Sequence, residues 1–228
     1  MGYALVTIGN SRTTIILIWR LVMKRFVSVL LMVCMILTSS VLYAAPVDNN
    51  EAQGTVSMSL DATKINEVGQ IITAKINVKD IDNLSAFQIN IKYDPNVLQP
   101  IKDNGTSYSD STPISGSTIL INDDYGILNI GSHKLKEGIL NFARSYMSLA
   151  SYKNSENGES EGTLGVIKFK ALKKEATTIS FAEAPYMPGM KDGVYLANWD
   201  ADTIAGYSVI QPNSLSGSTA ITLEADSN

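Results

Sequence analysis

From Thr55 onward the chain alternates between apolar and polar residues. Ser57 and Ser59 separate Val56, Met58 and Leu60. Thr73, Lys75 and Asn77 separate Ile72, Ala74, Ile76 and Val78. Gln88, Asn90 and Lys92 separate Phe87, Ile89, Ile91 and Tyr93. A period of two sends successive side chains to opposite faces of a strand and cannot build an apolar stripe on a helix. Turn residues divide the runs: Glu67 to Gln70 around Gly69, Asp80 to Asn83, and Pro95 after the third run. Further runs lie at Ile127–Ile130, Ile139–Tyr146, Leu164–Leu172, Ile179–Phe181 and Tyr207–Ile210, and Asn104–Gly116 reads as a polar loop. A spacing of roughly ten residues predicts an all-β antiparallel sandwich, each sheet buried on one face and wet on the other. Tyr146–Asn154 breaks the period. It predicts a short helix with Leu149 and Tyr152 on one face, ending before Asn157, Gly158 and Gly162 and capping one end of the sandwich.

The 228 residues are 45% hydrophobic, too apolar for a disordered chain, and much of that content precedes Pro46. Read from Met23, Lys24 and Arg25 lead into the apolar run Phe26–Leu37, and Leu42-Tyr43-Ala44 offers a small residue at a cleavage position. This is the three-part pattern of a secretory signal peptide. A membrane anchor is the competing reading, but the run falls short of the ~20 residues a span needs. The residues ahead of Met23 do not suit a signal, so Met23 is the expected true start. A lipoprotein reading of Cys34 fails because Leu31-Met32-Val33 supplies no small residues before it. Loss of residues 1–44 removes Arg12, Arg20, Lys24 and Arg25 but no acid, taking the net charge from −4 to −8. The product is expected to be secreted and extracellular. It would hold no cysteine and one tryptophan, Trp199, which excludes a disulfide scaffold and a CxxC zinc site. The acidic balance argues against a nucleic-acid partner.

Residues able to do chemistry are sparse. The single histidine, His133, sits in the charged turn Ser-His-Lys-Leu-Lys-Glu-Gly and reads as an exposed loop residue. The acids gather in turns, where acids sit by default: Asp80 and Asp82, Asp123 and Asp124, Glu156 to Glu161, Asp200 and Asp202. Asp80-Ile81-Asp82 begins like a calcium loop but runs into Leu84, so no metal site is expected. Asn104-Gly105-Thr106 fits the glycosylation acceptor pattern, a three-residue match too frequent to carry weight. A secreted carbohydrate-binding module of sandwich fold is the alternative reading, but such modules stack sugars on rows of aromatics. Here the tyrosines are scattered, with Tyr93 and Tyr207 at inward positions. A sandwich-fold hydrolase also stays open, because paired carboxylates are a spatial feature.

Two strands carry an unusual polar side. Ala86, Gln88 and Asn90 form one row of small or uncharged residues, and Asn141, Ala143 and Ser145 form another. Outward positions ordinarily carry Lys and Glu, whereas the core of a protein–protein contact avoids charge because desolvation is costly. Alternation places Arg144 with Leu140 and Phe142. Either the strand bulges there, or its stem packs inside while the guanidinium reaches the rim.

The segments AFQINIKYDPNVL (86–98), YGILNIG (125–131), EGILNFARSYMSLASYK (137–153), GTLGVIKFKAL (162–172), YMPGM (186–190) and GYSVIQP (206–212) occur in this order. Together they resemble a cohesin, and within cohesins the type II class, over roughly Thr55–Ser216. The resemblance implies a nine-stranded jelly-roll β-sandwich with a short capping helix and no active site. It implies a non-catalytic docking module for cellulosome assembly that binds a dockerin, type II favoured, through one sheet face. The strands 85–93, 126–131, 139–146 and the region Val194–Trp199 would form that face. Carried over, the dockerin-binding residues are Ala86, Gln88, Asn90, Asn141, Ala143 and Ser145, with Asn129 and Tyr195 added. Gln88 stands where type I members place an acidic contact. No cofactor is expected on this chain; calcium belongs to the dockerin. The organisation expected is leader 1–44, linker 45–54, cohesin domain 55–216 and tail 217–228. The chain shows no surface-layer repeat or sorting signal after Pro212, so a free, monomeric, single-cohesin protein without membrane attachment is expected.

Overall fold

A computed structural model of the chain describes residues 54–183 and 190–217. The expected leader, nearly all of the linker, residues 184–189 and the tail beyond Gly217 lie outside the described residues.

The strand segments are β1 (Thr55–Leu60), β2 (Lys64–Ile65), β3 (Ile71–Lys79), β4 (Leu84–Tyr93), β5 (Leu98–Ile101), β6 (Ile127–Gly131), β7 (Ile139–Tyr146), β8 (Gly162–Ala171), β9 (Ile179–Phe181), β10 (Val194–Asn198), β11 (Ser208–Ile210) and β12 (Ser216–Gly217). A back sheet runs β11-β1-β3-β8-β5 and a front sheet β10-β4-β7-β6, with β9 also paired to β4; β12 and β2 form a small ribbon. This is the expected all-β jelly-roll sandwich. The surplus over nine strands comes from short segments such as β2 and β12.

The alternation predicts the faces correctly. In the back sheet Val56 stands opposite Val78, Met58 opposite Ile76 and Ile72 opposite Phe169, all buried. In the front sheet Ile89 stands opposite Phe142 and Ile91 opposite Leu140. Tyr93 is buried and Tyr207 packs against the core, as expected. Pairing is antiparallel except between β1 and β11 and between β2 and β12, which run parallel. Asn104–Gly116 is less polar in place than in sequence, since Tyr108 and Ile114 turn inward and are buried.

One edge of β4 is shared by two strands. β10 pairs with Leu84–Ile89 and β9 with Ile91–Tyr93. The join is held by Asn90, whose carbonyl accepts the Ala182 N–H at 3.1 Å and whose Nδ2 donates to the Ala182 carbonyl at 2.8 Å. The chain returns at Gly193, whose φ is +76° and where a Cβ would stand 2.5 Å from Ala182 backbone atoms. Only glycine meets both demands.

The irregular segment is the expected helix, at Leu149–Asn154. Tyr152 plugs it into the end of the sandwich. Its hydroxyl donates to the Leu84 carbonyl at 2.9 Å and accepts the Glu159 N–H at 2.7 Å. Tyr125, Tyr146 and Trp199 pack around Tyr152 with ring centroids 4.9 to 5.7 Å from it.

Candidate docking face

The register sets the outer residues of the front sheet into rows. One row crosses β10, β4, β7 and β6 as Ala197, Ala86, Ser145 and Leu128. The next reads Tyr195, Gln88, Ala143 and Ile130. Asn90 and Asn141 form a third pair, and Lys92 with Ile139 a fourth. Seven of the eight residues singled out from sequence therefore share one face. Lys92 is the single charged residue in these rows, and it stands at one end.

Asn129 is the exception. It pairs with Arg144 and faces the inside of the sandwich, where its Nδ2 donates to the Ile114 carbonyl at 2.9 Å. The outward places on β6 belong to Leu128 and Ile130. They are 40% and 45% exposed, and Met147, just beyond β7, is 64% exposed. Sequence reasoning missed these three because ordinary amphipathic logic sends Ile inward and Asn outward. On a face that is itself apolar that logic reverses, and the register against β7 was the deciding signal.

Asn90 and Asn141 lie on the outer side yet are only 2% and 4% exposed. Gln88 Nε2 donates to Asn141 Oδ1 at 3.0 Å across the strand pair. Asn141 Nδ2 and Asn90 Oδ1, a donor and an acceptor in register, are buried without a hydrogen-bond partner. Tyr195 stands opposite Gln88 across β10 and β4, and its hydroxyl accepts a hydrogen bond from Thr203 Oγ1 at 3.1 Å.

Arg144 is explained without a bulge, since β4 and β7 pair in continuous register past it. Its stem lies inside, its Nε donates to the Leu120 carbonyl at 2.8 Å and its Nη1 to Ser117 Oγ at 3.3 Å. The Glu159 carboxylate accepts the Leu120 N–H and the Tyr146 hydroxyl. Leu120 has φ +56° although it is a fully buried non-glycine, a conformation costing about 1–3 kcal/mol. The two charged side chains hold both of its backbone groups and offset that cost. Burial lowers the Arg144 pKa, opposed by Tyr146, Asp123 and Glu159.

His133 corrects a second expectation. It is 6% exposed, between the rings of Tyr108 and Phe142. Its Nε2 lies 2.8 Å from the Thr112 carbonyl oxygen, and its Nδ1 accepts the Asn141 N–H at 3.2 Å. Burial pulls its pKa below the ordinary 6.5, opposed by the Thr112 carbonyl, the Asp110 carboxylate and the Asn141 contact. Among the described residues no three His, Cys, Asp or Glu side chains gather as a metal site. The turn acids Asp80, Asp82, Asp123, Asp124, Asp200 and Asp202 are all exposed.

A face of small and apolar residues, almost without charge, on a cysteine-free jelly roll has a counterpart among known proteins. Residues 56–194, more than half the chain, match the family model described as Cohesin domain. The chain belongs to the cohesin family. It is 43% identical over 164 residues to Cell surface glycoprotein 1 of Acetivibrio thermocellus, a match covering 72% of this chain but 7% of that protein. Among solved structures it is similar to a type II cohesin–X–dockerin complex from Acetivibrio cellulolyticus, with 44% identity, TM-score 0.69, and 72% of this chain and 98% of the other covered. The second type II cohesin module of an adaptor scaffoldin from the same organism gives 41% identity, TM-score 0.69, and coverage of 74% and 99%. Type II cohesin A11 of Bacteroides cellulosolvens gives 32%, TM-score 0.67, and coverage of 71% and 98%.

Proposed function

We propose that this cohesin is a non-catalytic docking module that holds a dockerin, type II by preference, on the outer face of the front sheet. The observation that carries the reading is the pair of rows Ala197–Ala86–Ser145–Leu128 and Tyr195–Gln88–Ala143–Ile130. They form an uncharged surface that a partner can cover without burying an unpaired ion. The type II preference is supported by identities of 41–44% to type II modules, one of them solved as a dockerin complex. The apolar ridge Leu128, Ile130 and Met147 gives such a partner aliphatic surface at one margin of the face. The signal-like segment Met23–Ala44 and the name of the cell-surface relative support a place outside the cell. A sugar platform is disfavoured, because the rings of Tyr125, Tyr146, Tyr152 and Trp199 pack edge-on or tilted against one another rather than in a flat row.

The test is titration calorimetry against a panel of type I and type II dockerins, with calcium and with chelator. Binding to type II members in calcium is expected, with loss of the complex in chelator. The melting temperature of this protein alone should not move with chelator, because hard cations need about six to eight converging oxygens. Binding that persists undiminished in chelator would refute the reading.

A further inference from the structure

Under the centre of the front face, a side chain completes a strand ladder. β6 ends at Gly131, opposite Phe142, so the next β7 N–H on that side, at Asn141, has no strand carbonyl to meet. It donates instead to His133 Nδ1 at 3.2 Å, while Ser132 N–H donates to the Asn141 carbonyl at 2.9 Å. His133 Nε2 lies 2.8 Å from the Thr112 carbonyl oxygen. A backbone N–H can only donate and a carbonyl can only accept, so the ring is held as one neutral form with its proton on Nε2. The anchor matters because Asn141 also belongs to the outer face: its Oδ1 receives the Gln88 amide, and its Nδ2 is buried without a partner.

The surroundings offer a second proton little help. From the loop preceding β6, Tyr108 stacks on the ring at 5.6 Å, and its hydroxyl stays protonated, with its pKa pushed up to about 12 by burial and by Asp103. Asp110 accepts the His133 N–H on its carbonyl at 2.8 Å, and its carboxylate is the acid that acts on the ring. From β7 come only Phe142, edge-on at 4.7 Å, and Asn141. Lys134, next along the chain, is exposed and lies 3.6 Å from the Glu137 carboxylate.

We propose that His133 is the positioning residue of the docking face: its neutral Nε2–H form fixes the β7 backbone at Asn141, and a proton added at Nδ1 releases Asn141 and weakens dockerin binding. This rests on the docking reading above. The sign follows from geometry. A proton on Nδ1 would face the Asn141 N–H, donor against donor, and the contact must open. In the free protein the face can give way towards water. Under a bound dockerin it cannot, so the complex resists the proton more than the free protein does. Affinity is therefore level above the ordinary histidine range and falls as pH drops through the free-state pKa.

The experiment is calorimetry with a type II dockerin in saturating calcium from pH 7.5 to 5.0, using the wild-type protein, His133→Gln and His133→Phe. Glutamine keeps one donor and one acceptor and does not titrate. The wild type should lose about tenfold in affinity over this range, the equivalent of one unit of pKa difference between free and bound protein. His133→Gln should bind more tightly than His133→Phe at pH 7.5 and keep only whatever pH dependence the dockerin brings. His133→Phe should bind more weakly at every pH. In the isolated wild-type protein, the Asn141 amide resonance should move with pH, and in His133→Gln it should stay. Parallel loss of affinity in wild type and His133→Gln, a level wild-type profile, or a static Asn141 amide would overturn this inference alone. Absence of binding at pH 7.5 to every type II dockerin would overturn the docking reading and this inference together.

Discussion

The outward positions of the back sheet include Lys75 and Lys79 on β3 and Lys168 and Lys170 on β8, interspersed with Ser57, Ser59 and Thr73. The equivalent positions of the front sheet hold Ala86, Gln88, Ala143, Ser145, Tyr195 and Ala197. Both sheets come from the same alternation and bury the same kinds of residue against one shared core. The core therefore does not dictate what the outer faces carry. Lysine on a wet strand keeps its ammonium hydrated at little cost, and the back face has the composition expected of permanent solvent contact. The front face carries only Lys92, at one end of its rows, a composition that fits the docking reading proposed above. The difference teaches that function here is written in what is left out of one sheet.

Five substitutions, one of them a control, break or sharpen the contrast. The largest effect is expected from Phe142→Ala. Phe142 faces inward, fully buried, and truncation should cost about 3–5 kcal/mol of stability through lost contacts and a residual cavity, read by urea unfolding. Its neighbour Ala143 faces out on the same strand. Ala143→Asp should leave the urea midpoint nearly unchanged yet cost about 2–5 kcal/mol of dockerin binding, because a carboxylate would be buried without a partner. Lys75→Asp on the back sheet is the control and should change calorimetric binding little. Equal binding by both aspartate variants would place the contact elsewhere. Third is Glu159→Gln, which exchanges one of two acceptor oxygens for a donor facing either the Leu120 N–H or the Tyr146 hydroxyl. The unpaired group should cost about 1–3 kcal/mol of thermal stability. The smallest is Lys168→Ala, which removes an exposed ion pair with Asp103 at 2.8 Å. It should cost under about 1 kcal/mol and leave binding intact.

Alternation in the sequence was enough to assign β1, β3, β4 and β7 and both of their faces, because each is long and half-buried. The helix at Leu149–Asn154 was legible from the break in period. The strand β6 was legible but its phase was not: Leu, Asn and Ile in succession fit either phase, and pairing with β7 settled it. His133 was misplaced because its neighbours in sequence, Lys134, Lys136 and Glu137, are exposed. Its burial depends on Tyr108 and Thr112, some twenty residues earlier, which local pattern does not bring together. The Leu120 clamp was invisible for the same reason. Its two holders, Arg144 and Glu159, lie on β7 and in the loop after the helix, and a buried leucine with positive φ has no sequence signature.

The parallel pairing of β1 with β11 has a mechanical consequence. Thr55, Val56 and Ser57 lie alongside Ser208, Val209 and Ile210, pointing the same way. Tension applied to the chain ahead of Thr55 and beyond Ile210 therefore pulls the two strands past one another along their length. Their mutual hydrogen bonds are then loaded together, in shear, whereas an antiparallel hairpin pulled from its open end yields one bond at a time. At this seam the sandwich is arranged to resist a pull between the two ends of the domain.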